Sequence, residues 1–251
     1  MSGHSHWATI KRKKGAADAK KGAVFTRLAR EILMAARDGG GDPGMNFRLA
    51  LAVDRARAQN MPKDSIERAI KRGTGDAKDG LTLEQLYYEG YASHGVAVMI
   101  DCVTENKNRT VAEIRHILSR SGGSMAEAGA VGWQFKKVAY FSFPAEQKDS
   151  DKLFEMAVDA GADDVLVEDG YCEITAPIEQ FKIISEKLRA EKITPEEAGL
   201  RMIPTQEMDL KTDQAVQVMK IVESLEELDD VQNVFHNLRI TEEAMNALEA
   251  G

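Results

Sequence analysis

The sequence predicts an α+β protein of three domains: an N-terminal three-helix domain and two ferredoxin-like α/β domains, the third inserted in the second. Three observations predict it. Residues 1–78 hold 17 Lys+Arg against 8 Asp+Glu, a net of +9, whereas the remainder holds 16 against 33, a net of −17. Apolar residues recur at helical spacing up to Gly73, then give way to alternating strand and helix patterns. Finally, the last helix and strand patterns have no sheet partners of their own, and the simplest remedy is that they complete an earlier sheet. The predicted domains are 1–78, then 79–136 with 205–251, and the inserted 137–204.

The first helix is predicted over Asp18–Arg37, with Phe25, Leu28, Ile32 and Ala36 on one face and Lys20, Arg27, Arg30 and Arg37 roughly opposite. The run from Gly39 to Gly44, with Asp42 and Pro43, ends it as a linker. A second helix is expected over Asn46–Asn60, with Phe47 and Leu51 inward and Arg48 and Arg55 on an outer stripe. Pro62 suits the first turn of a third helix, and Gly73 its C-terminal cap. Strands are expected at Tyr87–Tyr91, Val96–Thr104 and Val131–Phe135, with a helix at Asn106–Ser121 capped by Asn106 or Asn108. A second set follows: strand Val138–Phe143, helix Asp151–Ala160, strands Val165–Glu168 and Tyr171–Thr175, helix Ile178–Ala190 and strand Leu200–Ile203. Asp169-Gly170 marks a hairpin between the middle strands, so the order is β-α-β-β-α-β. Helix Asp213–Leu225 and strand Val231–His236 close the pattern.

Composition excludes several classes. The two cysteines, Cys102 and Cys172, are far apart and in no CxxC, which argues against a zinc site or a disulfide scaffold. No apolar run approaches membrane-spanning length. The Val24–Met34 stretch is interrupted by Arg27, Arg30 and Glu31, which is wrong for a signal peptide. A cytoplasmic location follows. Cys102 shares strand parity with Val96, Val98 and Ile100 and reads as core, not as a nucleophile served by Asp101 and His94. The 39–44 loop lacks the GK[ST] ending of a phosphate loop. The acidic run Glu223, Glu226, Glu227, Asp229, Asp230 reads as a solvated helix end, without calcium-loop spacing. No catalytic residue, cofactor, metal or small-molecule substrate is expected.

What remains is the positive charge. A tail with Lys11, Arg12, Lys13 and Lys14 in succession precedes a helix bearing Lys20, Lys21, Arg27 and Arg30. Cations concentrated this way suit phosphates, whose neutralisation releases counterions. Gly3, His4, Ser5 and Trp7 are the candidates for specific contacts. Trp7 and Ile10 have a second reading, as residues that pin the tail to the helices. Lys107 and Arg109 are further candidate contacts beside Asn106. The 122–132 segment reads either as a mobile loop or as an awkward connection.

Several blocks resemble the YebC family: the opening Gly3-His4-Ser5-His6-Trp7-Ala8-Thr9-Ile10-Lys11; Ala35-Ala36-Arg37 running into Gly39-Gly40-Gly41-Asp42-Pro43; Asn60-Met61-Pro62; Tyr88-Glu89-Gly90-Tyr91; Asn106 to Thr110; and Gly122-Gly123 with Glu127, Gly129 and Val131-Gly132-Trp133. Together they cover essentially the whole chain. The resemblance implies a helical domain and two α/β domains, the third inserted in the second. It also implies either promoter-binding transcriptional regulation, or action on translation, as in the mitochondrial translational activator of cytochrome oxidase subunit one and in ribosome-associated relatives that relieve stalling at proline-rich stretches. No groove-entering helix is recognisable, and a flexible basic tail suits ribosomal RNA better than a duplex read by sequence. The expected partner is therefore nucleic acid, ribosomal RNA ahead of DNA, bound by a monomer with no membrane contact.

Overall fold

The computed structural model describes residues 21–75, 83–145, 149–168 and 170–250, without the side chains of 21–23 and 249–250. In chain order the elements are helices α1 (Lys21–Gly39), α2 (Phe47–Ala58) and α3 (Lys63–Gly73); strands β1 (Glu84–Tyr91) and β2 (Ala97–Thr104); helix α4 (Lys107–Arg120); and strands β3 (Ser124–Met125) and β4 (Phe135–Pro144). Helix α5 (Ser150–Asp159), strands β5 (Asp164–Glu168) and β6 (Tyr171–Ala176), helix α6 (Phe181–Ala190), strand β7 (Glu197–Pro204), helix α7 (Thr212–Glu226), strand β8 (Val231–His236) and helix α8 (Glu242–Ala250) follow. This is the α+β class the sequence predicts. No helix among the described residues is long and apolar enough to cross a membrane.

The chain divides into two compact units. One comprises Gly80–Lys136 and Met202–Gly251 with the chain up to Arg27; the other comprises Leu28–Asp79 and Lys137–Arg201. In the first unit the sheet order is β3-β1-β2-β8. β1 and β2 run antiparallel from Glu84↔Thr104 to Tyr91↔Ala97, and β8 pairs along β2 with a bulge at Asp101/Cys102. Every residue of β2 is buried. Val98, Ile100 and Cys102 pack with Ile114 and Leu118 of α4 and Val218, Val222 and Leu225 of α7. On the opposite parity, Ala97 and Met99 meet Val131, Phe135 and Phe235. Cys102 is thus core, as its parity predicts.

The second unit holds the sheet β5-β6-β4-β7, whose strands and helices follow the expected β-α-β-β-α-β order. β5 and β6 pair up to Glu168↔Tyr171, as the hairpin signal requires, with Gly170 at φ +78°; Asp169 lies outside the described residues. Phe141, Phe143, Cys172 and Ile174 pack with Leu153 and Ala157 of α5 and Ile184 and Leu188 of α6. Phe141 stacks on Phe181 with ring centroids 5.0 Å apart. Leu51 of α2 joins the same apolar cluster. Burial pushes the Cys172 thiol up to about 12, with neighbouring Glu173 adding to the effect, so it stays neutral.

The turn between α1 and α2 is organised by Asn46. Its side-chain oxygen accepts from Leu49 N at 3.1 Å as the N-cap of α2. Its amide donates to the carbonyls of Ala35 (2.7 Å) and Gly40 (2.8 Å) at the end of α1. One buried side chain therefore satisfies both helix ends. Helix two stops at Ala58, because Asn60 takes the left-handed conformation (φ 59°) and Met61 N bonds to Ala56 O at 2.9 Å. Pro62, expected in the first turn of α3, is its N-cap, directly before Lys63.

Three expectations need correction. Gly73 is the last residue of α3, not its cap; what requires glycine there is the close passage of α1, treated below. Val131–Phe135 is not a strand but leads through a 3-10 turn, Gly132–Gln134, into β4. Strand parity would put Trp133 on the same inner face as Val131 and Phe135, and the turn instead leaves it 74% exposed. Asp230, read with the solvated acidic run, is 1% exposed, because Arg109 and two threonine hydroxyls satisfy its carboxylate. Two elements went unpredicted. β3 is only two residues long, and α8 carries an inner face of Ala244, Met245 and Leu248.

Candidate nucleic-acid interface

Positive charge is not spread evenly over the first 78 residues. The chain up to Arg27 holds 7 Lys+Arg against 1 Asp+Glu, whereas 28–78 holds 10 against 7. Gly3, His4, Ser5, Trp7, Lys11, Arg12, Lys13, Lys14 and Lys20 lie outside the described residues, as does the side chain of Lys21.

The helix cations are largely engaged at home. Arg27 donates from Nη2 to the carbonyl of Glu226, the last residue of α7, where a helix end carries partial negative charge. Arg30 is half-buried and also engaged. Arg48 and Arg55 of the predicted outer stripe are half-buried in ion pairs with Asp38 (2.9 Å) and Glu31 (2.6 Å). Ion pairs that keep this much contact with solvent contribute only about 0–1 kcal/mol each. Their consequence here is electrostatic: they neutralise cations that the helical pattern alone assigns to a ligand.

Lys107 and Arg109 also have internal carboxylate partners. Lys107 Nζ lies 2.7 Å from Glu84. Arg109 Nη2 donates to both oxygens of Asp230, at 3.0 and 2.9 Å. These bonds raise the guanidinium pKa above its ordinary value. Asn106 is the N-cap of α4, accepting from Arg109 N at 3.1 Å, and Asn108 lies within the helix.

The 122–132 segment is an ordered turn built around Glu89 of β1. One carboxylate oxygen accepts from Gly129 N (2.7 Å), the other from Val131 N (2.7 Å) and Gly132 N (2.9 Å). The Glu89 carbonyl accepts from Ala126 N at 2.8 Å. Trp133 closes the turn by donating its indole N–H to Ala130 O at 3.0 Å. Burial alone would raise the Glu89 pKa, but the three backbone donors outweigh it and hold the carboxyl below its ordinary 4.5. Its contribution to stability is therefore complete above that ordinary value and is lost as pH falls through the lowered one. In an acid titration followed by NMR, the amide protons of Gly129, Val131 and Gly132 should shift together, with a midpoint below 4.5. Glu89→Gln should abolish that titration and speed exchange of the three amides about tenfold, the loss of one charge-assisted bond being worth about 1.5 kcal/mol. A common midpoint above 4.5 would show that the three donors do not stabilise the charge.

His94, at the β1–β2 turn, is engaged with Gln217 Oε1 at 2.9 Å. Among the described residues no group of three His, Cys, Asp or Glu side chains is placed to hold a metal.

Comparison with known proteins decides the lineage. The TACO1/YebC N-terminal domain matches residues 5–76, and the TACO1/YebC second and third domain matches 83–238. The chain belongs to the TACO1/YebC family. A probable transcriptional regulatory protein of Acidithiobacillus ferrooxidans is 49% identical over 251 residues, covering 100% of this chain and 99% of its own. One from Borrelia turicatae is 48% identical over 243 residues, covering 97% and 99%. The crystal structure of a conserved hypothetical protein from Aquifex aeolicus has a TM-score of 0.80 at 38% identity, covering 90% of this chain and 93% of that one. For this TACO1/YebC member the candidate interface is the charge concentrated before Leu28, and the exposed feature the structure adds is Trp133 in the 122–134 turn. Sequence reasoning named Trp133 only within a family block. The signal that could have singled it out is a tryptophan following glycines at 129 and 132, where chain reversal competes with strand burial.

Proposed function

We propose that this protein is a non-enzymatic, nucleic-acid-binding gene-expression factor. In this reading its basic N-terminal segment binds ribosomal RNA, and it acts in translation by relieving stalling at proline-rich stretches. The carrying observation is the charge distribution: a net of +6 before Leu28 on a chain whose overall net charge is −8. A segment so charged binds a polyanion, while the acidic remainder suppresses unselective adhesion. Gly3, His4, Ser5 and Trp7 provide the specific contacts, Lys11–Lys14, Lys20, Lys21, Arg27 and Arg30 the phosphate contacts, and Lys107 and Arg109 contacts that compete with their internal partners. Residues 1–78 form the nucleic-acid domain; 79–136 with 205–251, and 137–204, form the two α/β domains that orient it. The protein works as a cytoplasmic monomer.

A second reading is favoured by the names of the relatives, which are called probable transcriptional regulatory proteins. It makes this chain a DNA-binding regulator acting at promoters. Sedimentation of cell lysate through a sucrose gradient separates the two. The translational reading expects comigration with ribosomes at low salt, weakened at moderate salt and lost when residues 2–15 are deleted. Absence from the ribosomal fractions, with retention on chromosomal DNA, sinks it and leaves the promoter reading.

A further inference from the structure

We infer that Trp133 is a stacking site for an unpaired nucleobase of single-stranded nucleic acid, a second contact distinct in sequence from the basic segment; this rests on the nucleic-acid-binding reading. Among the described residues of its unit, Trp133 (74% exposed) and Tyr87 (37%) are the large apolar side chains left exposed. Apolar burial is the normal fate of an indole. Here the fold prevents it, because the 3-10 turn rotates the ring away from the inner face that holds Val131 and Phe135.

The ring is fixed as well as exposed. Its N–H is spent on Ala130 O, and the backbone that carries it is held by the three amide bonds to Glu89. With the polar edge occupied, what Trp133 offers is a π-face, already oriented and with little rotamer entropy left to lose. Its exposed neighbours along the chain discriminate between occupants. Ala128 and Gly129 before it and Lys136 after it are exposed and small or polar. A docking protein requires a contiguous apolar patch around such an anchor. A base requires one flat face and tolerates polar, charged surroundings.

The test uses the full-length protein and a fluorescein-labelled single-stranded 12-nucleotide RNA, with its DNA counterpart in parallel, followed by anisotropy across a salt series. Trp133→Ala should weaken binding by about 5- to 100-fold, the range of one base–aromatic stack. Trp133→Phe should recover most of the loss. The slope of log affinity against log salt should not change, because a stack neutralises no phosphate. Equal losses in the RNA and DNA arms mark a contact to the base alone, and loss in one arm names the strand it serves. Unfolding midpoints should stay close to the parent's and equal to each other, since the side chain is outside the core and both variants lose the same exposed indole bond to Ala130 O. Parent-like binding by Trp133→Ala overturns the inference and leaves the proposed function intact. So does a Phe variant as weak as the Ala variant, or a changed salt slope. A parent that binds neither strand also overturns it, while comigration with ribosomes still decides the proposed function. A parent that dimerises in sedimentation velocity, with the Ala variant monomeric, assigns the ring to a contact between copies and overturns it too.

Discussion

Asp230→Ala is expected to destabilise the first unit by about 3 kcal/mol, the lower end of the cost of breaking a buried ion pair. Asp230 is 1% exposed, and its carboxylate accepts from Thr104 Oγ1 at 3.0 Å, Thr110 Oγ1 at 2.7 Å and Arg109 Nη2 at 2.9 Å. Its backbone carbonyl accepts from Val103 N at 2.9 Å. One residue thus ties the entry to β8 to the end of β2 and the first turn of α4. The lower end applies because Arg109, with its side chain 44% exposed, can recover hydration once released, and the single Thr110 hydroxyl proton can turn to Asn106 O, 3.0 Å away. Thr104 Oγ1 still accepts from Asn106 N at 2.9 Å and lies 2.9 Å from Thr110 Oγ1, to which it can turn its own proton. Urea unfolding measures it, and a shift under about 1 kcal/mol would mean that water replaces the carboxylate without loss. Arg109→Ala should be non-additive with it: once Asp230 is gone, removing Arg109 should cost little more. The same pair makes Arg109 a poor isolated reporter of nucleic-acid binding, since its loss perturbs the fold as well.

Gly73→Ala should destabilise the second unit by about 1–3 kcal/mol, against the sign that helix propensity predicts. Exchanging glycine for alanine in a helix normally gains about 1 kcal/mol. At Gly73, however, an ideal Cβ would stand 2.4 Å from Leu33 O, 2.7 Å from the Ala36 Cβ and 3.2 Å from Arg37 N. Two of these atoms belong to the backbone of α1, so relief requires α1 and α3 to separate rather than a rotamer to change. Ile32, Ala35, Ile66 and Ala69, buried on these two helices, would loosen with them. Gly199→Ala is the control: nothing lies within 4 Å of its Cβ, so its unfolding midpoint should equal or slightly exceed the parent's. If both variants unfold like the parent, the approach of α1 to α3 is softer than its geometry implies.

Much of the fold was legible beforehand because its signals are local. A helix face repeats every turn and a strand face every second residue, so α1–α3, α4–α7 and most strands fall within a few residues of expectation. Asn106 and the Asp169-Gly170 hairpin were readable for the same reason. The 131–135 segment was misread because alternation of Val131, Trp133 and Phe135 is also what a turn with buried ends looks like. The acidic run failed at Asp230, where composition indicates solvent and only a distant arginine indicates otherwise.

The candidate interface divides along the same line. That the chain concentrates its cations before Leu28 is a property of the sequence alone, since charge needs no fold to be counted. Which cations remain available to a ligand is a property of the tertiary structure. Arg109 finds Asp230 across 121 residues, and Glu89 finds Gly129 across 40. Such pairings depend on which surfaces the core brings together, not on any pattern within reach of one turn or one pleat. For the same reason, Trp133 passes unmarked inside a predicted strand until the sheet, the Glu89 bonds and the 3-10 turn leave its ring facing solvent.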